Sequence, residues 1–433
     1  MITTITQRLS FARSLKSRPF AFVWMGQTIS NLGDMIFFTA LAWQVLIMTG
    51  SATAMGIVLV AAEIPRLGFM LIGGVVADRL PRRLIMLWSD GGRGLIILLI
   101  ALLGWMHLLQ FWQLVLQSLL FGFVDGFFNP AVRAITPELV EKDDLTSANS
   151  LNSLGQTVSQ LLGPALGATL VALISTSGAF AADALSFFLS VAFLIFVRIP
   201  NRSPELQVER EQPDETISEE PGGEKRRGLQ GLVADITEGL AYVKSSRWIW
   251  VSIVVLSFTN IGLTVPIVAM PRLVHDVYGQ GVWLLGLINS VGAIGSILGL
   301  VLVAQASRLK RRGLLAYFSI LVSSTGVIMF GLPFPHIAAP IIAPTASVLF
   351  GFGIACYNTI WYTVLQEMIP GDKLGRVISI DSLGSFAMLP VAEALGGVAA
   401  DHLGPALVCV LGGFINIVLI LAALLVREIR ELE

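Results

Sequence analysis

Twelve times between Phe20 and Val426 the chain runs for about twenty residues with few or no charges, and short polar breaks separate the runs. Roughly twenty apolar residues are what a helix needs to cross the hydrocarbon core of a bilayer. The runs fall near 20–46, 53–77, 84–105, 111–136, 147–172, 178–198, 248–271, 284–306, 313–332, 338–364, 377–400 and 406–426. Only 13% of the 433 residues are charged, and 55% are hydrophobic. A soluble domain carries about a quarter charged residues. Strand-type alternation is absent, which excludes a barrel. The expected fold class is an all-α membrane protein with twelve transmembrane helices.

Placing the amino terminus in the cytoplasm puts 25 of the 28 Lys and Arg in the termini and inner loops, leaving Arg66, Arg93 and Arg272. Such asymmetry orients a membrane protein, and an even number of spans returns the carboxyl terminus to the same side. The expected location is the cytoplasmic membrane, multi-pass, with both termini inside. Residues 1–19 are polar and basic and do not read as a cleaved signal. The four His never cluster, and Cys356 and Cys409 both fall within spans. No metal site, cofactor, disulfide framework or nucleic-acid partner is suggested.

The chain also repeats itself. Adding 229 to the residue number carries Asn31 and Gly33 onto Asn260 and Gly262, "FGF" at 121–123 onto "FGF" at 350–352, Glu138 onto Glu367, and "SLG" at 153–155 onto "SLG" at 382–384. One offset that serves loops and spans alike means two six-helix halves in the same orientation, a parallel repeat. The halves are expected at 1–198 and 229–433, joined by a charged cytosolic linker at 199–228 that reads as disordered. Leu229, Leu232, Val233, Ile236, Leu240 and Val243 recur at helical spacing, so an amphipathic helix on the inner membrane face is expected over 229–246.

Between spans 2 and 3 stand Gly74, Asp78, Arg79, Arg82 and Arg83, with the same three-Arg spacing at Arg308, Arg311 and Arg312 in the second copy. The spacing G-x-x-x-D-R-x-x-R-R resembles the signature loop of the major facilitator superfamily. Within that superfamily, "FVWMGQTISNLGD" (22–34), "GGVVADRLPRR" (73–83) and "PELV…LTSANSLNSLG" (137–155) are similar to bacterial drug, macrolide and enterobactin exporters. Pro81 stands where the signature has its second Gly, and Ser307 where the second copy would have Asp. The resemblance implies the major facilitator fold, a loop that latches the halves in one conformation, and a monomer. In span 5, "SQLLGPALGA" (159–168) resembles the antiporter signature, with Gly163, Pro164 and Gly167 in register and Ser159 at its first Gly. Span 4 has Asp125 instead of the mid-membrane Arg that many proton-coupled relatives carry.

Charge inside the spans marks the candidate site, since each ionised group at the bilayer centre costs about 2.5–3.5 kcal/mol on insertion scales. Glu63 with Arg66, and Asp90 with Arg93, are three apart on one helix and read as local pairs. Asp34 and Asp125 have no basic residue within a turn of their own helix. Either acid could be a proton or cation site, and Asp34 could instead pair with Arg66 at similar depth. Glu63 and Glu393 are the further coupling candidates. The resemblance implies that spans 1, 4, 7 and 10 line a central cavity, so Asn31 and Asn260 are expected there, while Trp24, Phe38, Trp43, Tyr357 and Trp361 are either its apolar or stacking surface or part of the helix packing and the lipid-facing belt.

The expected function is secondary active transport: export of small amphipathic molecules by alternating access, with protons as the counter-ion. No ATP-binding G-x-x-x-x-G-K-[ST] occurs, and no nucleophile–base constellation suggests an enzyme. Uptake or lipid flipping on the same fold, or a membrane scaffold or sensor that moves nothing, are the alternatives.

Overall fold

The structure is a computed structural model that describes residues 13–197, 229–306 and 310–432; the side chains of 70, 71, 75, 77, 78, 229–236, 372 and 386 lie outside the description. The linker at 199–228, Ser307 and Arg308 also lie outside it. The described chain is helical throughout, as it must be where no water can take up backbone hydrogen bonds. Six long helices form the first half: α1 (Arg18–Thr49), α2 (Ala52–Arg79), α3 (Arg82–Trp105), α4 (Phe111–Leu139), α5 (Leu145–Leu173) and α6 (Thr176–Phe196). In the second half, α7 (Leu229–Ser245) precedes α8 (Arg247–Arg272), α9 (Val282–Gln305), α10 (Arg312–Gly331), α11 (Ala339–Met368), α12 (Gly371–Phe386), α13 (Leu389–Leu403), α14 (Pro405–Ala423) and the short α15 (Arg427–Arg430).

Eleven segments among the described residues are long and apolar enough to cross a membrane. The twelfth, α5, has the length but is diluted by Ser, Thr, Asn and Gln along "LTSANSLNSLGQTVSQ". Span 11 departs from expectation. A single helix over 377–400 was expected, yet the chain breaks at Ala387–Met388 into α12 and α13, because Pro390 in the first turn of α13 supplies no N–H to continue the ladder.

The repeat is visible in the packing. Gly122 on α4 lies so close to the Ala62 carbonyl of α2 that a Cβ would overlap it, and its repeat mate Gly351 on α11 meets Gly292 of α9 in the same way. Gly33 brings α1 onto Asp183 and Ser186 of α6, and Gly262 brings α8 onto Gly412 and Asn416 of α14. The two "FGF" triplets are therefore helix crossings.

The halves meet in the part of the bundle away from the termini, here called the far face. There α2 packs on α13 and α5 on α9. A Cβ on Gly286 of α9 would strike Ala168 and Pro164 of α5, and the Ala165 N–H donates to Ser290 Oγ at 3.1 Å. On the face that carries the termini, each half is tied to itself. Arg82 of α3 grips Glu138 of α4, Arg312 of α10 grips Glu367 of α11, and Arg83 donates to the carbonyls of Leu194 and Ile195, both at 2.8 Å. Every hydrogen bond described between the halves lies toward the far face.

Candidate functional site

Arg93, 3% exposed on α3, is the centre of a charge cluster inside the first half. Its guanidinium fork reaches Asp90 Oδ1 one turn back at 2.7 Å and Asp125 Oδ1 of α4 at 3.1 Å. The second oxygen of Asp90 accepts from Ser190 Oγ at 2.7 Å and from Gln27 Nε2 at 3.5 Å. Phe128 and Phe187 cover the guanidinium, with ring centroids 4.1 and 4.7 Å from Cζ. Asp90 and Arg93 therefore form the local pair that their spacing indicated. Asp125, with no basic residue within a turn of its own helix, finds one on its neighbour.

Two further acids stand within electrostatic range of Arg93. Asp34 of α1 is half-buried and makes no hydrogen bond or ion pair among the described residues; its alternative partner Arg66 is engaged elsewhere. Asp183 of α6 is fully buried; its Oδ1 accepts from Ser186 Oγ at 3.1 Å, and its Oδ2 has no hydrogen-bond partner among the described residues. Asp34 and Asp183 come together because Gly33, beside Asp34, lets α1 and α6 close on each other.

A second charged group lies where the halves face one another. Arg66 Nη2 is 2.7 and 2.6 Å from the two oxygens of Glu63, the expected pair on α2. Both residues are within electrostatic range of Glu393 on α13, which is 6% exposed and has one oxygen without a hydrogen-bond partner among the described residues. Arg66 is also within range of Asp125. Six carboxylates thus share two guanidinium groups, leaving a surplus of acid that a cation could balance.

At the repeat offset, Asp34, Asp90, Arg93, Asp125 and Asp183 map onto Leu263, Ser319, Val322, Ile354 and Gly412. The second half has no counterpart of the Arg93 cluster at those positions.

The remaining candidates take several positions. Asn31 and Phe38 are half-buried on α1. Trp24 Nε1 donates to the Leu151 carbonyl at 2.8 Å, tying α1 to α5, and Asn260 donates to the Ser385 carbonyl at 2.7 Å, tying α8 to α12. Trp361 stacks on Tyr357, meets Trp248 edge-on, and donates to both Asp381 oxygens at 3.3 Å. At 3% and 6% exposure, Trp361 and Tyr357 sit in helix packing rather than on open surface. Trp43, also buried, lies edge-on to His275 of the other half at the far face.

The antiporter-like stretch is a seam between helices. Gly163 and Gly167 lie against Met35 and Ile36 of α1, Ser159 Oγ donates to the carbonyls of Gly155 and Thr28, and Pro164 backs onto Gly286 of the other half. In the signature loop, Gly74 faces open space and Arg79 is exposed, while the Asp78 side chain lies outside the description. Sequence reading missed Asp183, Asp381 and Asp401. Each is a lone acid in or at the edge of an apolar run, a signal of the same kind as Asp34.

Comparison with known proteins accords with this architecture. The model of the Major Facilitator Superfamily matches residues 23–392. Macrolide efflux protein A of Streptococcus pyogenes is 24% identical over 96% of this chain and 97% of its own length. Enterobactin exporter EntS of Citrobacter koseri is 25% identical over 96% and 94%. Among solved structures, the nucleoside transporter NupG superposes with a TM-score of 0.70 at 13% identity, covering 94% of this chain and 98% of that one. A bacterial homologue of the iron transporter ferroportin in its inward-facing state gives 0.66 at 15%, with the same coverage.

Proposed function

The chain belongs to the major facilitator superfamily and is a multi-pass membrane transporter with efflux-type relatives; from that premise we propose that it exports small amphipathic molecules across the cytoplasmic membrane in exchange for protons. The observation that carries the reading is the Arg93 cluster, in which Asp34 and Asp183 stand near one guanidinium already shared by Asp90 and Asp125. Such a group accepts a positive charge without rearranging its frame. A proton and a cationic or polar substrate would compete for it, and competition of this kind is how one gradient drives another against its own.

In this reading the terminal face is cytoplasmic by the positive-inside pattern, and the hydrogen bonds described between the halves stand toward the opposite, outer face. Contact on that side is what the loading state of an exporter requires. Asn31, Phe38 and Asp34 on α1 are the first substrate contacts in this reading. Asp34, which makes no hydrogen bond or ion pair among the described residues, is the first residue to exchange a proton, with Asp125, Glu63 and Glu393 as further sites. The chain works as a monomer, since one chain carries both halves.

The test is transport by the purified chain in proteoliposomes with an imposed pH gradient, supplied with macrolides, catecholate siderophores, cationic dyes and lysolipids. Uphill movement of one class, abolished by a protonophore, supports the reading. Movement of substrate down its own gradient alone, indifferent to pH, overturns proton exchange.

A further inference from the structure

We propose that Asp401 is the latch of the far face: a helix cap that one half lends to the other, and whose release opens that face. The first N–H groups of a helix have no acceptor within it and favour a negative charge. At the start of α2, Asp401 accepts from Ser51 Oγ at 2.5 Å, from Ala52 N at 2.8 Å and from Thr53 N at 2.9 Å. The cap thus comes from 350 residues away, on α13 of the opposite half. Gly397, one turn earlier on α13, makes the approach possible, since a Cβ there would be 2.7 Å from the Ala52 carbonyl oxygen.

Each side of the contact keeps a partner when the other leaves. On the second half, Arg272 holds Asp401 and is itself tied to Asp276 at 3.0 Å, beside which His275 lies at 2.7 Å. The Asp401 charge is therefore never stranded. On the first half, Ser51 Oγ already accepts from Ala54 N at 3.2 Å, the ordinary cap of its own helix. A permanent structural staple has no use for such fallbacks; a contact made and broken in every cycle does. The latch rests on the alternating-access reading above, but its test needs neither substrate nor proton gradient.

Spin labels at Leu173 and Ile337, both highly exposed on the far face and one on each half, report its opening in the full chain reconstituted in lipid, with Cys356 and Cys409 replaced. Wild type should give mainly the short distance. Asp401→Asn keeps one acceptor oxygen but loses the charge, and should raise the long-distance population roughly two- to fivefold, the factor expected for losing a negative charge at a helix N-terminus. Ser51→Gly removes one of the three bonds across the halves together with the Ala54 cap, and costs the helix itself little, because Gly caps a helix nearly as well as Ser. It should shift the distribution in the same direction by less, and the double variant should shift it by less than the sum of the two. Wild-type distributions in both single variants overturn the latch, and if Asp401→Asn fails to fold, Ser51→Gly decides alone. An inactive transport assay leaves these distances unaffected, so the two readings fail separately.

Discussion

Replacing Arg93 with Gln removes the guanidinium that Asp90 and Asp125 share and leaves two carboxylates facing each other in the membrane. Asp90 is fully buried, and Asp125 retains 30% side-chain exposure. Removing one partner of a buried pair costs about 3–5 kcal/mol, because the other charge stays behind uncompensated. Lost cation–π contact with Phe128 and Phe187 adds to this. Ser190 and Gln27 still serve Asp90, and chains unfolded within the membrane find alternative partners, so the lower end, about 3 kcal/mol, applies. For a unit the size of one half this is a fall of roughly 6–12 °C in the unfolding midpoint. Arg93→Lys should lie between Gln and wild type, since an ammonium cannot fork to both acids. Asp125→Asn should cost little, as Arg93 keeps Asp90. The combination of Arg93→Gln with Asp125→Asn should be less destabilising than the sum of the two. The assay is thermal unfolding of purified variants in one detergent, followed by tryptophan fluorescence. A midpoint for Arg93→Gln within about 2 °C of wild type would show that the cluster is not held by its arginine, and the charge argument would fall with it.

Asp34→Asn keeps the size and hydrogen bonding of the side chain but cannot take up or release a proton; it should permit downhill exchange while uphill accumulation under a pH gradient is lost, and undiminished pumping would assign the role to another acid. For topology, single Cys at Ser175 and His336 in a Cys-free background should react with impermeant thiol reagents from outside intact cells, whereas Cys at Lys310 should not; outside labelling at 310 would reverse the orientation. Gly122→Val should lower the unfolding midpoint by forcing α4 off α2, while Gly74→Ala, which meets nothing within 4 Å, should leave it unchanged or raised. If Gly74 is needed for closing the terminal face, transport by Gly74→Ala will fall although its stability does not.

The fold was legible because its two strongest signals, span length and the 229-residue offset, are properties of sequence alone. Both pairs three residues apart, Glu63 with Arg66 and Asp90 with Arg93, formed as read, since helix geometry fixes such neighbours locally. The partnership of Asp125 with Arg93 depends on how α3 and α4 cross, and that of Asp401 with Ser51 on how two halves dock. Neither distance is written in the spacing. The aromatics were harder still: the sequence left Trp24 and Trp361 open between cavity surface and packing, and their indole N–H groups found acceptors within the packing. The break in span 11 was within reach of sequence reasoning, for Pro390 stands in the middle of the run.

The charges of the Arg93 cluster have neutral residues at all five repeat positions, and this matters for what covalent fusion makes possible. A dimer of identical six-helix subunits obeys its two-fold axis, so any residue gained by one subunit appears in both. Two such clusters would then face each other across the axis, doubling the acid and fixing the ion stoichiometry at an even number. Joining the halves in one chain released them from that constraint. The second half carries none of these five charges while keeping the glycines that set its helix crossings, and the Arg93 cluster stands on one side of the molecule alone.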